Sequence, residues 1–191
     1  MITRAAYLQK LLNIKNGSEG FMKDNFPISW IPVPGKDNQS FGVSNCPGKH
    51  QNNLLKKLSL KNDLSSIWNQ EINCIVSLIT KDELKKLDIN DFDRTITEYG
   101  FEHYSVEIQD LGIPSTNQLG TFKILTKNII VAIKTEKKVL IHCNAGLGRS
   151  GLFAGILVKE MTDINHPIDY IRKFRKGAIE TKEQEEFISF W

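Results

Sequence analysis

The stretch of this chain best equipped for chemistry is His142-Cys143-Asn144-Ala145-Gly146-Leu147-Gly148-Arg149-Ser150-Gly151. It sets a thiol, Cys143, and a guanidinium, Arg149, at the two ends of a short glycine-containing turn. Gly146 and Gly148 let the backbone curl, because glycine tolerates positive φ. A curled turn aims successive N–H groups inward and makes a nest for an anion. A helix beginning near Arg149 or Ser150 adds its positive end at the same point. Arg149 offers a planar fork of donors that matches two phosphate oxygens. The same field acts on a thiol at the floor of the turn. A free thiol ionises near pKa ~8.5, and helix N-termini and cations lower that into a range of ~3.5–7.5. Three units correspond to about 4 kcal/mol, within the joint reach of amides, dipole and guanidinium. One loop can therefore bind a phosphate and keep its nucleophile ionised, and it needs no metal and no cofactor.

Displacement at phosphorus also needs a proton for the departing oxygen. The candidate donor is Asp110, in Glu107-Ile108-Gln109-Asp110-Leu111-Gly112-Ile113-Pro114, with Glu107 as the alternative. A third feature is Gly177-Ala178-Ile179-Glu180-Thr181-Lys182-Glu183-Gln184.

His-Cys, five residues, then Arg-Ser-Gly resembles the signature of the protein-tyrosine and dual-specificity phosphatase superfamily. The resemblance implies that Cys143 accepts the phosphoryl group and that Arg149 holds it in flight. It implies that Asn144, Ala145, Gly146, Leu147 and Gly148 surround the phosphate with Arg149. Ser150 then assists departure of the thiolate, and His142 supports the loop rather than transferring a proton. The Asp110 loop is similar to that of the cyclin-dependent-kinase-associated phosphatase branch, whose run is Asp-Gly-Gly-x-Pro; here Leu111 stands in place of the first glycine. The Trp-Pro-Asp of the tyrosine-specific enzymes is not in this loop. The third feature is similar to a Gly-x-Ile-Gln-Thr-x-x-Gln run whose glutamines place the hydrolytic water. Gln184 is kept and Glu180 replaces the earlier glutamine, so Gln184 is a candidate water-positioning residue. The plainer account is a terminal helix, Glu180 to Phe190, with an acidic first turn. The segment Phe41 to Gly48 also resembles the kinase-associated branch, and the likeness as a whole runs from about Ile28 to Trp191. A rival is the dinucleotide fingerprint, Gly146-x-Gly148-x-x-Gly151 with Asp169 downstream. Its late position and the arginine inside the loop weigh against it.

The elements that must hold these residues alternate between strand and helix. Ile28–Val33 and Phe41–Val43 read as short strands around a turn at Pro34–Asn38. Leu54, Leu55, Leu58, Leu64, Ile67 and Trp68 recur at helical spacing, with Asn62-Asp63 as a candidate break. Ile72–Ile79 is a buried strand, followed by helices at Asp82–Leu87 and Phe92–Tyr99, the latter capped by Gly100. His103–Ile108 alternates as a strand. Thr116–Lys134 is an amphipathic helix that turns Leu119, Phe122, Ile129 and Ile133 to the core. Lys138–Ile141 is the strand that feeds the loop, and Leu152–Met161 the apolar helix after it. This pattern predicts an α/β fold: a single-domain protein-tyrosine-phosphatase-like architecture with a central, mostly parallel sheet and helices on both faces. Ligands of such sheets sit beyond the carboxyl ends of strands, where the loop falls. Residues 1–27 are expected to form an N-terminal extension, with a helix and a loop near Asn16-Gly17-Ser18, and residues 28–191 the catalytic domain.

Composition limits the partners. A net charge of +3 with scattered basic residues is no nucleic-acid-binding signature. No apolar run approaches the ~20 residues of a membrane span, and the first residues lack the pattern of a cleaved signal peptide. Three widely spaced cysteines argue for a reducing, cytoplasmic setting, with Cys46 and Cys74 as inert thiols. The expected partner is a phosphorylated protein, a kinase among the candidates. Asn144 and Leu147 are uncharged, which favours a singly phosphorylated side chain over a phosphoinositide or inositol phosphate. A phosphoprotein-binding module without turnover is the other alternative. The basic run Arg172-Lys173-Phe174-Arg175-Lys176 reads as a solvated helix face.

Overall fold

In the computed structural model, residues 25–49, 56–89 and 91–191 are described. The expected helix and loop before residue 25, and the contribution of Leu54 and Leu55, lie outside them. Five strands form one sheet: β1 (Ser29–Pro32), β2 (Ser40–Ser44), β3 (Cys74–Ser77), β4 (Glu102–Ser105) and β5 (Val139–His142). Their order is β1-β2-β5-β3-β4. The β1–β2 hairpin is antiparallel and every other pair is parallel. Strand β5, which feeds the loop, thus runs at the centre, buried along its whole length.

Alternation along the strands divides the core in two. Val139, Ile141, Cys74 and Val76 face one layer, built with helices α4 (Leu119–Lys134), α5 (Gly148–Met161), α6 (Pro167–Phe174) and α7 (Lys182–Phe190). Leu140 and Ile75 face the other, covered by α1 (Lys56–Asn69), α2 (Lys81–Lys86) and α3 (Phe92–Glu98). The expected fold, a mostly parallel sheet sandwiched by helices, is the one observed. Among the described residues no helix is long and apolar enough to cross a membrane.

The local differences have local causes. Helix α1 runs unbroken through Asn62-Asp63, and Asp63 caps the Gly48 N–H at 2.7 Å from across the loop. The strand expected over His103–Ile108 keeps its ladder only to Ser105. Beyond it, Val106 and Ile108 still donate to Ser77 and Leu78, which carries the chain to Asp110 in extended form. On α4, Phe122, Ile129 and Ile133 are buried as expected, whereas Leu119 in the first turn is half-exposed; Leu125 and Ala132 complete the stripe. Cys46 and Cys74 are buried free thiols. Burial pushes Cys74 up to about 12 and Cys46 further still, in keeping with inert roles.

Candidate active site

The turn from His142 to Gly148 leaves the end of β5 and enters α5 without a spare residue. All five carbonyls from Cys143 to Leu147 are engaged. His142 Nδ1 lies 3.2 Å from the Cys143 oxygen. The Cys46 N–H donates to Asn144 at 3.1 Å. Arg175 donates from Nη2 to Ala145 at 3.1 Å and from Nε to Gly146 at 3.0 Å. Leu147 accepts from Gly151 at 2.9 Å and from Ile179 at 3.3 Å. In a planar trans peptide the N–H points opposite to the preceding C=O. Tying these carbonyls back therefore turns the amides of residues 144–148 toward the other side of the loop. Cys143 lies on that side, 2% exposed, and its sulfur accepts the Gly146 N–H at 3.2 Å.

The two loop glycines serve different ends, contrary to the expectation that both allow curling. Gly146 takes φ +71°, and a Cβ there would sit 2.2 Å from the Ser44 oxygen. Gly148 is already the first helical residue. Its missing side chain leaves room for Glu180 and Gln184, whose atoms would lie 2.6 and 3.1 Å from a Cβ.

Arg149 is buried. Glu83 on α2 holds it in a two-point fork, Nη1 to Oε2 at 2.6 Å and Nη2 to Oε1 at 2.7 Å. The Ile108 carbonyl accepts from Nη1 at 2.9 Å and Asp110 Oδ1 from Nη2 at 2.7 Å. Its Nε and the Ser150 hydroxyl are buried with no hydrogen-bond partner among the described residues. Burial opposes the Arg149 charge, but the bond to Glu83 and the charges of Cys143, Glu83 and Asp110 outweigh it and hold its pKa above the ordinary value. For Glu83, burial opposes the carboxylate, yet the bonds from Arg149, Thr80 and Asn144 bring it down to about 2.

Asp110 is brought beside Arg149 by its exposed loop, whereas Glu107 binds the Lys81 N–H at 3.0 Å. Gln184 is fully buried; it donates to the Gly112 carbonyl at 3.0 Å and accepts the Glu180 N–H at 2.9 Å, so its amide straps the Asp110 loop to the start of α7. Asn144 turns its side chain sideways, donating to Glu83 at 3.2 Å and accepting from Lys49 at 2.7 Å. His142 is buried and burial takes it down to about 3, so it is a neutral ring suited to support and not to proton transfer.

Sequence reasoning missed Glu83 and Arg175. Thr80-x-x-Glu83 is legible as a capping box, which it forms. Nothing in that motif tells of an arginine 66 positions away. The basic run after Asp169 is only half a solvated face. Lys173, Phe174 and Lys176 are exposed, but Arg172 binds the Ala178 and Ile179 carbonyls and Glu185, and Arg175 binds the loop.

A mostly parallel sheet whose central strand ends in this loop, with a thiol against the Gly146 amide and a buried arginine, defines a cysteine-dependent phosphoric monoester hydrolase of the protein-tyrosine/dual-specificity phosphatase fold, not a dinucleotide-binding unit. The family model described as Cyclin-dependent kinase inhibitor 3 (CDKN3) matches residues 18–171, and the chain belongs to that family. Cyclin-dependent kinase inhibitor 3 of Rattus norvegicus is 28% identical over 166 residues, covering 84% of this chain and 76% of that protein. The dual specificity protein phosphatase CDC14A of Homo sapiens is 33% identical over 104 residues, 51% of this chain and 16% of that protein. Among solved structures, a kinase associated phosphatase with its catalytic-site cysteine replaced by serine superposes with a TM-score of 0.75 at 25% identity, covering 87% of this chain and 94% of that one.

Proposed function

We propose that this protein is a cytoplasmic protein phosphatase that hydrolyses phosphotyrosine, phosphoserine or phosphothreonine through a phosphocysteine intermediate, with a phosphorylated kinase among its candidate substrates. The observation that carries this is the set of five outward-tied carbonyls, which leaves the amides of residues 144–148 aimed to the side of Cys143. Cys143 attacks phosphorus in line, the bond to the side-chain oxygen breaks, and Asp110 gives that oxygen its proton. The loop amides and Arg149 hold the equatorial oxygens, where charge is spread in the transition state. Asp110 then takes a proton from water as it attacks phosphocysteine, and the S–P bond breaks. The Ser150 hydroxyl, otherwise unpartnered among the described residues, is free to donate to the departing thiolate. The buried Gln184 supports this cycle by strapping the acid loop, and it remains the candidate for placing the water. One relative named for a cyclin-dependent kinase and a solved structure named as a kinase associated phosphatase support a kinase as substrate.

A panel of phosphotyrosyl, phosphothreonyl and phosphoseryl peptides, run beside inositol phosphates and an aryl phosphate, tests this. Peptide turnover that Cys143→Ser abolishes, with a phosphorylated Cys143 caught by rapid acid quench, is the expected result. Preference for inositol phosphates would replace the substrate class. An inert protein that still binds phosphopeptide would make it a binding module.

A further inference from the structure

Three adjacent strands bring a chain of polar side chains together behind the loop. On β3, Ser77 Oγ lies 2.8 Å from His103 Nε2 of β4 and 2.7 Å from His142 Nε2 of β5. The other His142 nitrogen, Nδ1, lies 3.2 Å from the Cys143 carbonyl. Ser77 and His142 are buried, and the His103 side chain is 10% exposed. Phe92 sets its ring edgewise to both imidazoles, at 5.3 Å from His142 and 6.4 Å from His103. An unpaired polar atom here would be costly.

The direction of these bonds follows from the carbonyl end. A carbonyl can only accept, so a neutral His142 must carry its hydrogen on Nδ1. Its Nε2 is then a bare acceptor and accepts a hydrogen bond from the Ser77 hydroxyl. Ser77 Oγ must in turn accept from His103, which therefore carries a hydrogen on Nε2. His103 is subject to opposing pulls, burial lowering its pKa and Asp93, 3.9 Å from Nδ1, raising it. A protonated His103 still donates from Nε2 to Ser77, with Nδ1–H facing Asp93. The direction of the chain is the same in both states, and the groups that face it, Asp93 and Arg149, leave that direction unchanged.

Resting on the phosphatase reading above, we propose that Ser77 and His103 are positioning residues of the reaction: they lock His142 in its Nδ1–H tautomer, which ties back the Cys143 carbonyl and keeps the first loop amide aimed at phosphate. Without the Ser77 hydroxyl one of the two bonds that favour Nδ1–H is lost, and the balance shifts toward Nε2–H, the tautomer that cannot donate to the Cys143 carbonyl.

Long-range ¹H–¹⁵N correlation spectra of labelled protein read the tautomer directly and need no turnover. The expected wild-type result is Nδ1–H for His142. In Ser77→Ala and His103→Leu the Nε2–H form should grow, alkylation of Cys143 by iodoacetamide at pH 6 should slow at least threefold, and kcat should fall more than KM changes. His103→Gln, whose amide N–H replaces the lost donor, should restore all three readings. An Nε2–H His142 in the wild-type spectrum overturns the proposal whatever the variants do. So does a folded Ser77→Ala or His103→Leu protein with unmoved tautomer and alkylation rate. An inert wild type with the expected tautomer would instead count against the phosphatase reading and leave the bond chain standing.

Discussion

Arg149 and Arg175 both lie against the signature loop, and of the two it is Arg149 that meets carboxylates. Arg149 is buried and meets carboxylates, Glu83 and Asp110. Arg175 meets the loop's own carbonyls, Ala145 and Gly146, and reaches the Ser29 hydroxyl with Nη1 at 3.1 Å. A carboxylate offers a guanidinium the kind of charged acceptor that a phosphate offers, so on the proposed reading the exposed Asp110 holds a place that substrate oxygens can contest, while Glu83 keeps Arg149 in position. Backbone carbonyls offer no such exchange. On the proposed reading, one arginine serves chemistry and the other architecture. Burial lowers the pKa of Arg175, with the Cys143 charge opposing the change.

The contrast is broken or sharpened first by substituting the two arginines in parallel. Arg149→Lys keeps the charge and loses the planar fork. Turnover of an aryl phosphate should drop by about a thousandfold, the scale of losing a preorganised donor in a transition state. Arg175→Gln keeps one donor and should cost roughly tenfold in turnover, with about 1 kcal/mol of stability lost from a loop carbonyl left unpaired. Steady-state kinetics with urea titration of each variant checks both. Equal losses of turnover would erase the division between the two arginines.

Asp110 sharpens the chemical side. In Asp110→Ala the leaving oxygen departs without its proton, so hydrolysis of substrates with poor leaving groups should slow by about a hundredfold. An activated aryl ester should lose only a few-fold. A leaving-group series in wild type and variant measures this, and equal losses across the series would remove Asp110 from the acid role.

The pair that positions Arg149 should also show in the response to acid. Glu83 is held at about 2 by its bonds from Arg149, Thr80 and Asn144, against the opposing effect of burial. Its pKa is depressed in the folded state, so the unfolded chain takes up the proton first as pH falls. The stabilisation is whole above the ordinary carboxylate value of about 4.3 and is lost as pH falls toward 2. Its scale is about 2 kcal/mol, at 1.4 kcal/mol per unit with a discount for partial exposure. Urea unfolding should therefore separate wild type from Glu83→Gln at pH 7, and the gap should shrink by pH 3. A gap that widened in acid would reverse the assignment.

What the sequence disclosed and what it withheld follow from the range of the interactions. Cys143, Gly146 and Arg149 are legible because the proposed nest, nucleophile and clamp share one short stretch of chain. The sheet is legible because β3 and β5 are continuous apolar runs bounded by turns. Glu83, Ser77 and Arg175 act across 66, 65 and 29 positions of sequence, and no local spacing encodes such a contact. Arg175 also sits in a basic run in which Lys173 and Lys176 are exposed, so composition pointed to solvent. Gln184 lies between these cases, since its place in the run was legible but its bond to the acid loop, 72 positions away, was not.

Leu111 offers the finest test, because it combines a legible departure with a hidden cause. It stands where the kinase-associated branch has glycine, and its backbone keeps the left-handed conformation that glycine would suit, at φ +61°. The side chain gains little in return, being half-exposed. Left-handed backbone costs an ordinary residue about 1 kcal/mol, so other bonds must hold it. Three of them flank it: Thr181 Oγ1 donates to the Leu111 carbonyl at 3.2 Å, Gln184 to the Gly112 carbonyl at 3.0 Å, and the Gly112 N–H to Gln109 at 3.0 Å. Leu111→Gly relieves the strain but gives the unfolded chain more freedom, and the two effects nearly cancel at roughly 0.5–1 kcal/mol each. Its Tm should stay within a degree or two of wild type and its turnover within threefold. A tenfold loss confined to poor leaving groups would show that the side chain itself holds Asp110 in place, and would move Leu111 from the architectural side of the site to the chemical one.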